Sequence, residues 1–185
     1  MKGTDVLRSE HKAIGKMLEV LIICGIQIRE GNYGEIDTVK KLLDFSVNFT
    51  DRCHHKKEEQ HLFPMLEEKV TPYIGAAITE LLEEHAKGRE TLKGIASDLD
   101  DFSSAKAIPL AQKLFSYAAL LKEHIKKEDT ELFPKAEDSL NDREQKELFD
   151  AFEQVEKEEI GEGVHEQYHN MIHEYVHKFG LSAPQ

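Results

Sequence analysis

Two similar segments of the chain each place a histidine and a glutamate four residues apart. The first reads HHKKEEQHLFP and runs from His54 to Pro64, and the second reads HIKKEDTELFP and runs from His124 to Pro134. On a helix, residues four apart lie one above the other on the same face, so each segment points an imidazole and a carboxylate in the same direction. This spacing is typical of metal ligands.

The hydrophobic spacing around these segments predicts helices almost throughout the chain and no strand. Breaks rich in Gly, Pro or Asx residues separate five helical segments, expected over about residues 4–30, 35–69, 72–97, 107–138 and 142–179. The last is expected to be broken at Gly161 to Gly163. The polar stretch from Asp98 to Lys106 is expected to be a crossover loop, and Pro64 is expected to kink the second helix or end its regular part.

Each of the first four predicted helices carries one histidine within its apolar stripe. These histidines are His11, His54, His85 and His124. The glutamates of the two segments, Glu58 and Glu128, continue the same stripes. Each half of the chain is therefore a helical hairpin that supplies one histidine from its leading helix and a His-x-x-x-Glu pair from its following helix. Such a duplication predicts a pseudo-two-fold bundle in which these special residues meet at the centre.

Six inward polar side chains in one small interior favour a metal centre. A lone histidine in an apolar stripe is more often a hydrogen-bonded core residue, but four imidazoles and two carboxylates together would leave costly unpaired charge. Cations between the two glutamates neutralise them and accept the histidine lone pairs. Imidazole and carboxylate without thiolate suit iron, manganese, zinc or nickel. Two bridging carboxylates favour a pair of irons, with a vacant position for oxygen or a related diatomic ligand.

The two segments, together with the EHxxGR motif around His85, resemble the hemerythrin HHE cation-binding domain. The resemblance covers about Leu7 to Ala136 and implies an all-α fold, an up-down-up-down four-helix bundle that holds a non-haem di-iron centre with bridging carboxylates. The ligands it implies are His11, His54, Glu58, His85, His124 and Glu128. We therefore expect a bundle domain over residues 1–138 and a C-terminal helical extension packed on it over residues 139–185.

Two positions depart from the oxygen-carrying members of that family. Those proteins have a second histidine four residues after the one on the third helix, where this chain has Arg89. Their acid on the fourth helix lies five residues after its histidine, where this chain has Asp129. The internal repeat favours Glu128 over Asp129, because Glu128 matches Glu58 in phase and continues the inward stripe. With one imidazole missing, coordination is incomplete unless solvent or another residue fills it.

The C-terminal tail offers a supplementary ligand. Four histidines recur there every four residues, namely His165, His169, His173 and His177. Such a stripe drifts by about 40° per step around a helix, so these side chains cannot all face one way. His165 extends the apolar phase of the tail and is the best candidate for a ligand, with His169 second. For the stripe as a whole we favour the competing interpretation, a polar helix flank or a helix packed outside the bundle.

Other polar residues of the two segments are expected to lie away from the inward line. His55, Glu59 and His61 fall off that line or a layer away from it. The lysine pairs Lys56-Lys57 and Lys126-Lys127 are expected to form a solvated face with their acidic neighbours.

Composition restricts the classes of function. A net charge of -12 for 185 residues disfavours nucleic acid and anionic membranes as partners. The longest apolar run, around Val20 to Cys24, is far short of the ~20 residues that a membrane span needs. The two cysteines, Cys24 and Cys53, form no CxxC pair, and no secretory signal starts the chain, so we expect core cysteines in a reducing cytoplasm.

The leading hypothesis is a non-haem di-iron protein that binds or senses oxygen or nitric oxide, or handles iron. The alternative is a di-iron enzyme that reduces peroxide or nitric oxide or takes part in the repair of iron-sulfur centres, as the family resemblance allows. A purely structural bundle with ordinary core histidines ranks last. The expected partners are a small diatomic ligand or metal ions, and the sequence predicts neither an oligomeric state nor a catalytic residue.

Overall fold

The computed structural model describes residues 2–69, 72–161 and 163–182, and every regular element in these ranges is helical. The prediction of an all-α fold without strands is therefore confirmed for this part of the chain. The α-helices in chain order are α1 (Gly3–Arg29), α2 (Ile36–Phe45), α3 (Phe63–Glu67), α4 (Pro72–Asp100), α5 (Ala107–Lys127), α6 (Phe133–Ser139), α7 (Asp142–Glu159) and α8 (Val164–Lys178).

Four long helical rods form the bundle. The first rod is α1 and the third is α4. The second and fourth rods run without a loop from α2 to α3 and from α5 to α6, through the π-helical stretches Ser46–His55, Glu58–Leu62 and Glu128–Leu132. Each rod packs against the next one in the chain, and the fourth packs against the first. None of the helices in the described ranges is long and apolar enough to cross a membrane.

Two of the π-helical stretches, Glu58–Leu62 and Glu128–Leu132, follow from the prolines of the two repeated segments. Phe63 donates its backbone N–H to the carbonyl of Glu58, and Phe133 donates to that of Glu128, in both cases five residues back. The next residue is proline, which has no N–H to continue the α-helical ladder, so the wider turn is accommodated on its N-terminal side. The interruption expected at Pro64 thus takes the form of a π-helical turn, after which the helix resumes.

The connections differ from the sequence prediction in one place. The expected crossover loop begins three residues late, because α4 continues to Asp100 and carries Leu99 into the core. A short 3-10 turn, Ser104–Lys106, leads into α5. The break predicted at Gly161 to Gly163 does separate α7 from α8, and both glycines have a positive φ, 88° and 78°. Glu162 lies outside the described residues.

A polar layer divides the interior into two hydrophobic clusters. On α1, Leu7 belongs to one cluster and Ile14 to the other, with His11 between them. On α4, Leu81 and Leu92 flank His85 in the same way. The sequence produces this division because each apolar stripe is interrupted once, at the same height in the bundle. Apolar side chains therefore close the layer from both ends.

The two C-terminal helices pack on the outside of the bundle. Leu148 and Phe152 of α7 join the cluster of Leu7, while Ile172 and Val176 of α8 join the other cluster. The start of α7 is fixed by a capping box, in which the Asn141 side chain accepts the N–H of residue 144 and the Glu144 side chain accepts the N–H of residue 141. The division into a domain over 1–138 and an extension over 139–185 stays a prediction.

A pair of glycine substitutions on α1 tests how closely α7 docks. A Cβ added at Gly3 would lie 2.9 Å from the Cβ of Leu148, whereas one added at Gly15 would meet nothing within 4 Å. We expect Gly3→Ala to lower the free energy of unfolding by about 1–3 kcal/mol through overpacking. We expect Gly15→Ala to raise it by about 0.5–1 kcal/mol, because alanine favours the helix. Urea unfolding followed by circular dichroism measures both values, and equal effects would contradict the close contact.

Candidate metal centre

Four histidines, one from each rod of the bundle, meet in two pairs. In the first pair, His11 Nε2 is 3.0 Å from His54 Nε2, and in the second, His85 Nε2 is 3.0 Å from His124 Nε2. None of the four is more than 4% exposed. Two imidazole nitrogens bound at right angles to one ion, each roughly 2.1 Å from it, would themselves lie about 3 Å apart. Each pair therefore has the spacing of two ligands of a single ion.

Two glutamates connect the pairs. Glu58 places one carboxylate oxygen 3.5 Å from Nε2 of His54 and the other 3.6 Å from Nε2 of His85. Glu128 places a single oxygen 3.2 Å from Nε2 of His11 in the first pair and 3.3 Å from Nε2 of His124 in the second pair. All four oxygens of the two glutamates are buried and have no hydrogen-bond partner among the described residues. Each carboxylate thus reaches from one histidine pair to the other.

In the first pair, the outer nitrogen of each imidazole is bound to a carboxylate. His11 Nδ1–H donates to Asp129 Oδ1 over 2.9 Å, and His54 Nδ1–H donates to Glu10 Oε2 over 2.8 Å. A neutral imidazole that carries its proton on Nδ1 has its lone pair on Nε2. In the neutral form of each ring, the Nε2 lone pair is therefore directed at the centre.

The second pair repeats this wiring. His85 Nδ1–H donates to Glu59 Oε1 over 2.7 Å, and His124 Nδ1–H donates to Glu84 Oε2 over 2.9 Å. A histidine that binds a metal almost always donates its other N–H to such an acceptor, which fixes the ring and raises its basicity. The two-fold repeat of the chain therefore extends to the residues around the histidines.

None of these four acceptors was predicted from the sequence. Each lies next to a predicted site residue in the chain, since Glu10 and Glu84 precede a histidine and Glu59 and Asp129 follow a glutamate. The sequence does contain a signal for these acceptors, because a Glu-His pair occurs near the start of each half and an acidic residue follows each inward glutamate. The partners remained hidden because each acceptor serves a histidine on a different helix.

Protons neutralise this centre. Burial by itself would lower the pKa of His11, but the hydrogen bond to Asp129 and the Glu128 carboxylate oxygen 3.2 Å away raise it to about 9. Burial lowers the pKa of His54 to about 4. Burial and the nearby Glu128 carboxylate hold the pKa of Glu58 well above its usual range. A cation that enters the centre therefore competes with protons at His11 and at Glu58.

Lys57 is not on a solvated face, contrary to the sequence prediction. Its side chain is 0% exposed and forms ion pairs with Glu10 and with Glu156, whose Oε2 is 3.6 Å away. Its repeat counterpart Lys127 contacts Glu84 at 2.5 Å and is 33% exposed, which is closer to the expectation. The two lysines differ because α7, which carries Glu156, covers only the first of them.

His55 is also buried, although it was expected off the inward line. Its ring stacks on that of His85, with centroids 3.8 Å apart and planes 15° apart. The π-helical stretch Ser46–His55 supplies the reason, because the wider turn rotates the side chains away from their α-helical phase. A prediction based on a constant helical period places only His54 inward.

Arg89, which stands at the position of the missing histidine, forms ion pairs. Its Nε donates to Asp51 Oδ1 over 2.7 Å, and one Nη donates to Glu59 Oε1 over 2.6 Å. Glu59 also accepts from His85, so the guanidinium acts on the second histidine pair through this carboxylate.

The structure does not bring His165 into the histidine layer. Its Nε2 lies 3.6 Å from Glu10 Oε1, and Glu10 stands between it and His54. Its side chain is 27% exposed, and His169 lies beside it with ring centroids 4.6 Å apart. The structure therefore brings together the six residues of the repeated pattern and leaves His165 one residue further out.

Comparison with known proteins gives one family match and a few distant relatives. The family described as "Hemerythrin HHE cation binding domain" matches residues 2–136, which confirms the resemblance. Uncharacterized proteins of Mycobacterium bovis and of two Mycobacterium tuberculosis strains are 29% identical over 120 residues. That match covers 62% of this chain and 45% of each relative, so the chain spans less than half their length. No solved structure matches significantly.

The two repeat-related lysines provide a test of the charges around the centre. We expect Lys57→Met to lower the free energy of unfolding by about 3–5 kcal/mol, because it leaves the buried Glu10 carboxylate without its cation. The control Lys127→Met removes a partly exposed ion pair and should cost about 1 kcal/mol or less. Chemical denaturation at neutral pH measures the difference. Equal losses would mean that burial of Lys57 has no energetic consequence.

Proposed function

We propose that this chain, which belongs to the hemerythrin HHE cation-binding domain family, holds two iron ions in its buried layer. It binds or senses oxygen or nitric oxide there, or handles iron. The observation that carries the proposal is that all four oxygens of Glu58 and Glu128 lack a hydrogen-bond partner within the described part of the chain. Two buried carboxylates without hydrogen bonds are costly, and cations placed between them remove that cost.

In this proposal each histidine pair supplies the nitrogen ligands of one metal, and both glutamates bridge the two. His11 and His54 bind the first metal, and His85 and His124 bind the second. The donor set of imidazole and carboxylate fits iron, and it also fits manganese, zinc or nickel. When bound, a pair of ferrous ions supplies electrons and an open coordination position to a diatomic ligand.

The surrounding residues of the chain prepare the donors. Carboxylates on the outer nitrogens keep the Nε2 lone pairs of the histidines directed inward and raise their basicity. The two hydrophobic clusters close the layer at both ends and keep bulk water from the charges. For His165 we propose an outer position, where it acts on His54 through Glu10, in place of a direct bond to the metal.

A small ligand is the partner that suits a site this deeply buried. A surface pocket lined by Val47, Leu92, Asp51 and Arg89 reaches the ion pair beside the second histidine pair. Its largely apolar wall suits a diatomic molecule, which needs no charge to enter. The net charge of -12 argues against nucleic acid as a partner.

We also propose a reducing cytoplasm as the location of the protein. Cys24 and Cys53 are both free and buried. Burial raises the pKa of each thiol to about 12, so neither is a reactive thiolate at neutral pH. Both behave as small apolar core residues.

Metal analysis of anaerobically purified protein tests the proposed centre. We expect two irons per chain in the unaltered protein and loss of both in the double variant Glu58→Gln/Glu128→Gln, since the amides keep the shape but remove both bridging charges. The matched control Glu123→Gln/Glu153→Gln changes two exposed glutamates and should retain the metal. Retention of two metals by the first double variant would refute the bridging role.

Exposure of the iron-loaded protein to nitric oxide or to air then tests ligand binding. We expect a change in the optical spectrum that saturates at a fixed ratio of ligand to protein and reverses when the ligand is removed. Continuous consumption of nitric oxide or of peroxide by the reduced protein would indicate catalysis in place of binding.

Metal loading should release protons and strengthen with pH. At pH 7 His11, whose pKa is about 9, carries a proton that the metal must displace, and the raised pKa of Glu58 increases the competition between protons and metal. The affinity for zinc(II) should therefore rise between pH 7 and pH 9, and the contribution of His11 should level off above pH 9. Calorimetric titration at pH 7 in buffers of different ionisation enthalpy should detect release of about one proton per chain or more. Binding without proton release would contradict these shifts.

A further inference from the structure

The centre is not fully symmetric, because His55 has no counterpart in the other half of the repeat. The residue seventy positions further on is Ile125. His55 is 4% exposed and stacks on His85. One of its ring nitrogens, together with one ligand atom each of Glu58, His85 and His124, forms a group whose members all lie within 4.8 Å of one another. The second histidine pair therefore has a third imidazole beside it.

His55 has the same hydrogen-bonding pattern as the four paired histidines. Its Nδ1–H donates to Asp51 Oδ1 over 3.3 Å, so its Nε2 carries the lone pair. Each of the five buried imidazoles thus binds a carboxylate through Nδ1. This is the arrangement that ligand histidines use to fix the ring and direct the Nε2 lone pair.

Arg89 links His55 to the second pair. Its guanidinium donates to Asp51 and to Glu59, the acceptors of His55 and of His85. One arginine therefore fastens the two carboxylates that orient two neighbouring imidazoles. Arg89, which occupies the position of the missing histidine on α4, therefore also stabilises the orientation of His55 through Asp51.

From this arrangement, and resting on the proposed two-metal centre, we propose that His55 is a fifth imidazole ligand and binds the metal of His85 and His124 through Nε2. Because an imidazole lone pair lies in the plane of its ring, binding in this way requires the His55 ring to tilt out of its stack with His85. That metal then has three imidazoles and two bridging carboxylates. The metal of His11 and His54 has two imidazoles and the same two carboxylates. The centre is asymmetric in coordination although the helices around it are repeated.

Cobalt(II) substitution allows the imidazole ligands to be counted directly. In protein loaded with high-spin cobalt(II), each coordinated imidazole whose Nδ1 carries a proton gives a strongly shifted proton resonance that disappears in D2O. We expect five such resonances in the unaltered protein, four in His55→Ile and five in the matched control His61→Ile. The isoleucine reproduces the residue that the repeat itself has at this position.

The count separates failure of this proposal from failure of the two-metal centre. Four resonances in unaltered protein that holds two cobalt ions would overturn the assignment of His55 and leave the centre intact. Fewer than two cobalt ions per chain would overturn the centre and the assignment with it. The count in the unaltered protein does not depend on whether any variant folds.

Stepwise cobalt(II) affinities provide a second readout. Because the third imidazole raises the affinity for one of the two metals, the unaltered protein should bind its two ions in separate steps. His55→Ile should weaken the tighter step by about tenfold or more and bring the two steps together. The control His61→Ile should leave both steps unchanged. An unchanged tighter step in His55→Ile would overturn the assignment.

Discussion

Two glutamates buried without hydrogen bonds are the constraint on which this structure depends. Desolvation of Glu58 and Glu128 costs more than any single contact in a helical bundle contributes, so the interior around them has to supply positive charge. His11, with a pKa of about 9, supplies one such charge beside Glu128, and the neutral forms of the facing histidines provide lone pairs on their Nε2 atoms. Carboxylates and lone pairs that converge on the same volume are complementary to cations, which is the property that the family description states for this domain.

Charges alternate outward from this centre. Imidazoles surround the glutamates, and each of the four paired imidazoles is bound to a carboxylate. Each of those four carboxylates in turn has a cation within 4.0 Å, the four cations being Arg8, Lys57, Arg89 and Lys127. Such a network keeps every imidazole in one orientation, because a ring that rotates breaks a contact in each following shell. The layer is therefore preorganised by side chains that do not themselves touch the centre.

The helices α7 and α8 break the symmetry that the repeat creates. Glu156 of α7 covers Lys57, and His165 of α8 reaches Glu10, while the equivalent lysine of the second half, Lys127, stays partly exposed. The second half differs in its own way, through the third imidazole of His55. The C-terminal helices thus cover the first half of the centre, whereas the second half has the additional imidazole of His55 from the bundle itself.

The sequence by itself determined the helical fold and the six residues of the inward layer, because helical phase is a local property that a constant period reveals at His11, His85 and their partners. Only the tertiary structure decided what surrounds them. The acceptors of the histidines lie on other helices, and Lys57 is buried by a helix one hundred residues away in the chain. His55 turns inward because a π-helical stretch changes the phase. Periodicity identifies which face of a helix is buried, but the neighbour across that face is set by packing.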